Sequence, residues 1–389
     1  MQKKYALVVA ALSAIASAPI VMAQDAYVVG LSGALTGPAA GTYAPIMESV
    51  KLYIDQLNRR GGVNGKPVRL VVQDNQGEPS KAAADAKKLI SQDNAVLIVS
   101  AGVSSTYAPM AAEAKRGRVP LLHAAVCPAA GFPPKPDDLQ FCSGANSGEH
   151  DGPMGVQFIK EQSRNPVRLG LAAMAIPLSR IAADYAEERA KSLGMTVVDK
   201  QIIPPATPDY TPYATKLQSA EPDWVYGVGP WVIQAKTLEA LRKLGWNGKF
   251  LGATLPPTED DMVRLKDGEL YAISPNAFFH DDLPVHKEIR DAAGKASLAY
   301  PVTQLTEGWI AGMVLEQALK NTSWPPTAEK VLAAMNDLRV DTKGLRGGPF
   351  EWTKTNHFRA KQYYRFYRWD SAKQSIVPAK EGWTMVEIK

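Results

Sequence analysis

Apolar residues along this chain gather in short continuous runs, and these alternate with longer segments in which they recur at helical spacing. Tyr27, Val29 and Leu31 open the first run, after which Gly33, Gly37, Pro38 and Gly41 break regular structure, so a loop is expected beyond the carboxyl end of a strand. Met47, Val50, Ile54 and Leu57 then share one helical face, Gly61 and Gly62 stop the helix, and the run over 68–72 predicts a second buried strand. Strand, helix and strand in that order make a parallel unit. Pro79 starts a further helix with Ala82, Ala83, Ala86, Leu89 and Ile90 on one side, and strands follow over 95–100 and 119–124. From Val167 the alternation restarts, with strands at RLGLAAM, TVVDKQII and WVYGVG and helices over 179–194, 213–220 and 233–245. Two successive α/β units predict two doubly wound lobes. The segment over 357–369 alternates aromatic and basic residues with a period near two, which reads as a strand with apolar and charged faces rather than a nucleic-acid stripe.

Several pieces of this order belong together. Gly33 and Gly37 in the first loop precede a helix ending in Asp55-x-x-Asn58 and Gly61-Gly62-Val63-x-Gly65. Asp74 then stands ahead of Glu78-Pro79 and an alanine-rich helix. The series continues through Ser104-Ser105-Thr106, the Pro120 strand, Asp209-Tyr210 and Asp223-Trp224-Val225-Tyr226. As an ordered set it resembles the periplasmic leucine/isoleucine/valine-binding protein family, the type I solute receptors of ABC importers. The resemblance implies two α/β lobes joined by a hinge that the chain crosses three times. The first would hold 24–145 and 273–350, and the second 146–272 and 351–389.

Composition changes the picture at three points. Lys3 and Lys4 precede an apolar, alanine-rich run, and Val21-Met22-Ala23 offers the small-residue pattern of a signal-peptidase site, so 1–23 is expected to be a removed leader and the mature chain to be periplasmic. The run falls short of the roughly 20 apolar residues that a spanning helix needs. The 44 basic and 39 acidic side chains are scattered, and their formal balance of +5 marks no nucleic-acid surface. Cys127 and Cys142 bracket a proline-rich loop, and in an oxidising compartment such a pair is expected to be bridged, a closure worth about 3 kcal/mol in the chain-entropy account.

Enzymatic signatures are missing from the sequence: no Gly-x-Ser-x-Gly elbow, no His-Glu-x-x-His, no Cys-x-x-Cys and no P-loop. His123, His150, His280, His286 and His357 show no metal spacing, so neither a catalytic residue, a metal nor a cofactor is expected. Binding asks for less. Ser104 and Ser105 stand between a strand and the next helix, where short hydroxyls and free N–H groups at a helix start suit a carboxylate. By resemblance, backbone at Ala124, Ala125 and Val126 completes that carboxylate site, while Leu178, Trp231 and Tyr300 supply apolar or aromatic walls. Thr254 stands where amino-acid receptors of the family commonly carry the Glu that meets the ligand ammonium. Glu259, Asp260, Glu149 and Asp151 lie elsewhere in sequence, so an amine-free carboxylate or an amide-like solute is expected beside the family default of branched-chain amino acids. The implied partners are a small solute and the permease and ATPase subunits of an importer at the inner membrane. A ligand sensor of the same fold and a secreted enzyme are the competing classes.

Overall fold

The structure, a computed structural model, describes residues 25–164 and 166–388, and the expected leader over 1–23 lies outside them. The first half of the chain runs β1 (Tyr27–Gly33), α1 (Ala40–Arg59), β2 (Val68–Asp74), α2 (Pro79–Ser91), β3 (Leu97–Ala101), α3 (Tyr107–Gly117), β4 (Leu121–His123), β5 (Gln140–Cys142) and α4 (Gly148–Glu161). The middle adds β6 (Arg168–Met174), α5 (Pro177–Ser192), β7 (Thr196–Ile203), α6 (Thr211–Ser219), β8 (Trp224–Val228), α7 (Trp231–Lys243), β9 (Lys249–Ala253), α8 (Thr258–Leu265) and β10 (Leu270–Ser274). The last third holds α9 (Pro284–Ala293), α10 (Thr306–Lys320), α11 (Ala328–Met335), β11 (Asp337–Val340), β12 (Phe350–Thr353), β13 (Lys361–Asp370) and β14 (Ser375–Glu387).

These strands form two main sheets and a small hairpin of β11 with β12. The first sheet has the order β2-β1-β3-β4-β5, all parallel. The second has the order β14-β13-β10-β9-β8-β6-β7, parallel except for the antiparallel pairs that β13 makes with β10 and β14. Every residue of β1, β3 and β8 is buried, as expected of parallel strands covered by helices on both faces. Each sheet reverses its strand order once, between β1 and β3 in the first and between β6 and β8 in the second. Loops leaving the strands on either side of such a reversal go to opposite faces and leave a crevice at the carboxyl ends. That geometry fixes where a ligand can sit. The result is an α/β protein of two doubly wound lobes, with the chain passing between the sheets after β5, after β10 and after β12.

The aromatic-basic segment near the carboxyl end is β13, paired on both sides within the second sheet. Its register slips at Phe366, so Phe366 and Tyr367 are both buried and the strict alternation fails there. Helix α1 begins at Ala40, so Gly41 lies in its first turn rather than in the preceding loop.

The expected disulfide is not formed: Cys127 and Cys142 are free, buried thiols. Cys127 donates to the Gly144 carbonyl at 3.3 Å, and both sulfurs pack with Phe358 and Ile388 as small apolar groups. Burial pushes the Cys142 thiol well up, which keeps it protonated. The loop between them is held instead by His357, whose carbonyl accepts Cys142 N–H at 2.9 Å and whose N–H reaches Gly131 O at 3.1 Å. Its ring Nδ1 lies 3.0 Å from the carbonyls of Asp137 and Gln140.

Candidate functional site

The carboxyl-end loops of the two sheets face each other and enclose two small adjoining chambers, each of about 40 Å³. The first is lined from one sheet by Tyr43, Ser104 and Val126 and from the other by Ile176, Leu178, Val228, Gly229, Pro230 and Leu255. Asn146 and Asp151, from the first passage between the sheets and the start of α4, close one side. The second chamber is lined by Thr254, Pro256 and Glu259 from the second sheet's loops, by Ser274 and Asn276 after β10, and by Thr303, Gln304 and Glu307 around the start of α10. Asn146 and Leu255 border both. The roomier hollow around Arg168, Asp223 and Lys249 lies at the opposite, amino ends of the strands and draws on one sheet only.

Local sequence explains how the first chamber is built. After β3, Ser104–Thr106 turn as a short 3-10 segment that leads into α3, and the Thr106 hydroxyl donates back to Val103 O at 2.7 Å. This leaves the Ser104 hydroxyl free to cross the cleft, where it accepts the Leu178 N–H at 3.0 Å. Leu178 is in the first turn of α5, whose early N–H groups lack intrahelical partners. The bond therefore satisfies one helix end and ties the two lobes together. Tyr107 supports the same corner, donating to Gly102 O at 3.1 Å and accepting Val126 N–H at 3.3 Å.

Two carboxylates stand in the chambers without a cationic partner among the described residues. Asp151 accepts Ser147 N–H and the Tyr364 hydroxyl, both at 2.8 Å, yet burial pushes its carboxyl up to about 6. Glu259 accepts the N–H groups of Phe279 at 2.9 Å and His280 at 2.8 Å; burial, with Asp260 and Asp281 nearby, raises it to about 7. Glu307 differs, because Arg346 pairs with it at 2.9 Å in a buried ion pair. Asp260 bridges the lobes, accepting the Thr303 hydroxyl and the Gln304 amide, both at 2.6 Å.

Of the residues expected from sequence, Ser104, Val126 and Leu178 meet in the first chamber and Thr254 lines the second. The others stand apart. Ser105 lines neither chamber, and Ala124 and Ala125 are fully buried in the first sheet's core behind Val126. Trp231 also lies outside the first chamber's lining: α7 begins at this residue, and its indole packs under Gly252 of β9 and donates to Asp261 at 2.6 Å, while Gly229 and Pro230 line that wall. Tyr300 lies outside both linings, its N–H bonded to Glu48, and Thr303 and Gln304 just beyond it reach the second chamber. Tyr43, which the first loop carries into α1, lines the first chamber, and burial raises its phenol so that it stays protonated. Asn146 and Gln304 had no sequence signal of their own. Asp151 and Glu259 did, as acids without an assigned place.

The profile of the family described as periplasmic binding protein matches residues 26–374. The Leu/Ile/Val-binding protein BraC3 of Rhizobium johnstonii is 21% identical, over 93% of this chain and 96% of its own length. Among solved structures, a valine-bound branched-chain amino acid ABC transporter protein from Thermus thermophilus superposes with a TM-score of 0.80 at 20% identity, covering 92% of this chain and 97% of that one. A solute-binding protein of an ABC transporter from Rhodopseudomonas palustris BisB5, in complex with 3,4-dihydroxybenzoic acid, gives 0.78 at 17% identity, covering 94% and 98%. The profile spans both lobes and the cleft between them, and the chain belongs to the periplasmic binding protein family.

Proposed function

We propose that this protein is the exported receptor of an ABC importer, that its leader is removed after about Ala23, and that it closes on a small carboxylate-bearing solute with an apolar body. The lobes are taken as 24–145 with 273–350 and 146–272 with 351–389. A solute touching both would stabilise the closed form, which the permease and its ATPase would recognise. The observation that carries this reading is the first chamber itself: apolar walls from both sheets meet beside Ser104, whose hydroxyl already bridges the lobes. Ser104, Val126 and Leu178 are the proposed contacts for the carboxylate end, and Thr254 for the far end. Relatives of the same fold have been solved with valine and with 3,4-dihydroxybenzoic acid, so the fold accommodates both aliphatic and aromatic acids.

Calorimetric titration of refolded, ligand-free mature protein with leucine, valine, benzoate, 4-hydroxybenzoate and a short aliphatic acid tests the reading. One saturable site is expected for at least one acid, and Ser104→Ala should weaken it about tenfold, the worth of a hydrogen bond to a charged group. Failure of every acid to bind, or binding indifferent to Ser104→Ala, would overturn the assignment.

A further inference from the structure

The second chamber is rich in hydrogen-bond acceptors that the protein itself does not answer. Gln304 is buried, and its amide nitrogen donates to Asp260 at 2.6 Å. Asp260 offers only acceptors when ionised, so the amide is fixed with its oxygen turned away, and that buried oxygen has no hydrogen-bond partner among the described residues. In the same lining, each Glu259 oxygen holds one backbone N–H and has capacity for another donor, and no Lys or Arg among the described residues pairs with it. A buried carboxylate without a cation is costly to ionise, as the raised Glu259 carboxyl reflects, and a buried amide oxygen without a donor is costly in its own right.

The placement of these groups adds a constraint on length. Ser104 borders only the first chamber, Glu259 and Gln304 only the second, and the two spaces meet at Asn146 and Leu255. In an α-amino acid the ammonium is one carbon from the carboxylate, so both groups would share the first chamber and leave the second unanswered. A solute with its amine at the other end of the chain would reach Ser104 with its carboxylate and Glu259 and Gln304 with its amine.

Resting on the receptor reading above, we propose that the second chamber is the subsite for a terminal amine of the solute, with Glu259 as its counter-charge and Gln304 Oε1 as a second acceptor. The substrate class is then an ω-amino carboxylate with a short apolar spacer that runs past Leu255. Thr254 lines this chamber without a charge, and Glu259 supplies the one the resemblance places at Thr254.

The test is calorimetric titration of the refolded, full mature chain with 4-aminobutanoate, 5-aminopentanoate, pentanoate and valine, repeated with Glu259→Gln and Gln304→Met. In the parent protein, an ω-amino acid should bind at least about tenfold more tightly than pentanoate or valine. Glu259→Gln should erase that preference while pentanoate binding stays within about twofold. Gln304→Met leaves the Glu259 contacts to Phe279 and His280 in place and should reduce the preference in part, so a folding defect in the first variant does not mask the result. Equal or tighter binding of pentanoate or valine by the parent overturns the amine subsite while leaving the receptor reading intact. Equal weakening of all ligands by both variants also overturns it, since that is the signature of a structural role. Binding of none of the four overturns the amine subsite, and the receptor reading falls with it only if leucine, benzoate and 4-hydroxybenzoate also fail to bind.

Discussion

Glu307→Gln is expected to destabilise the protein by about 3–5 kcal/mol, the cost of stranding a buried charge. Glu307 and Arg346 side chains are each 5% exposed and meet at 2.9 Å. The same carboxylate accepts Ala145 N–H at 2.8 Å and the Asn276 amide at 2.6 Å, and Arg346 Nε donates to Asn276 Oδ1 at 2.8 Å. Ala145 and Asn276 lie on the first and second passages between the sheets, so one buried ion pair joins α10 to both. Burial lowers the Arg346 guanidinium to about 10, and Glu307 beside it acts in the opposite direction, favouring the charge. Glutamine fills nearly the same volume, so the loss isolates charge from packing. Glu288 and Lys343 form a pair whose side chains are about half exposed, and Glu288→Gln should cost less than about 1 kcal/mol. Urea unfolding of the two variants gives the comparison. A loss below 1 kcal/mol for Glu307→Gln would mean the network does not hold the hinge.

The second large effect is expected at Gly229, in the wall of the first chamber. Its φ is +112°, and a Cβ there would come within 2.5 Å of Ser179 Oγ and 3.1 Å of Ser179 Cβ. Gly229→Ala therefore combines backbone strain with overpacking, about 2–4 kcal/mol together. Because Ser179 sits in the first turn of α5 beside Leu178, the displacement should also loosen the Ser104 bond and weaken solute binding about tenfold or more. Gly245 separates the two contributions: its φ is +84°, but nothing lies within 4 Å of a Cβ built there. Gly245→Ala should cost only about 1 kcal/mol and leave binding unchanged. Unfolding midpoints and titrations on both variants decide the matter, and equal losses for the two would show that Ser179 yields freely.

Much of this architecture is legible in the sequence because the inner parallel strands are apolar throughout and helices repeat with a fixed period. Residues 26–74 announce the first βαβ unit, and β6 and β8 stand as continuous runs between turn signals, whereas β2, expected to be buried, and β7 are edge strands and only partly buried. Ser104 and Leu178 are legible for a related reason: each follows a strand at its sheet's order reversal, and backbone topology alone brings such loops together. Trp231 shows where this reasoning stops. Whether a first-turn side chain faces the cleft or the core depends on helix phase, and starting α7 at residue 231 turns the indole under β9. Ala145, Glu307 and Arg346 meet through the passages between sheets, with Ala145 and Glu307 separated by 162 positions, a distance over which no local pattern speaks. The brace on the loop between the two thiols was hidden for a similar reason, since it comes from His357, far along the chain.

Closure of the two lobes on a bound solute is the claim on which the functional account depends, and small-angle X-ray scattering of the refolded, ligand-free mature protein before and after saturation tests it most directly. A smaller radius of gyration on adding the acid that binds, with the shrinkage lost or requiring more acid in Ser104→Ala, is the expected result. Saturable binding with no change in the radius of gyration would contradict a hinge-closing receptor.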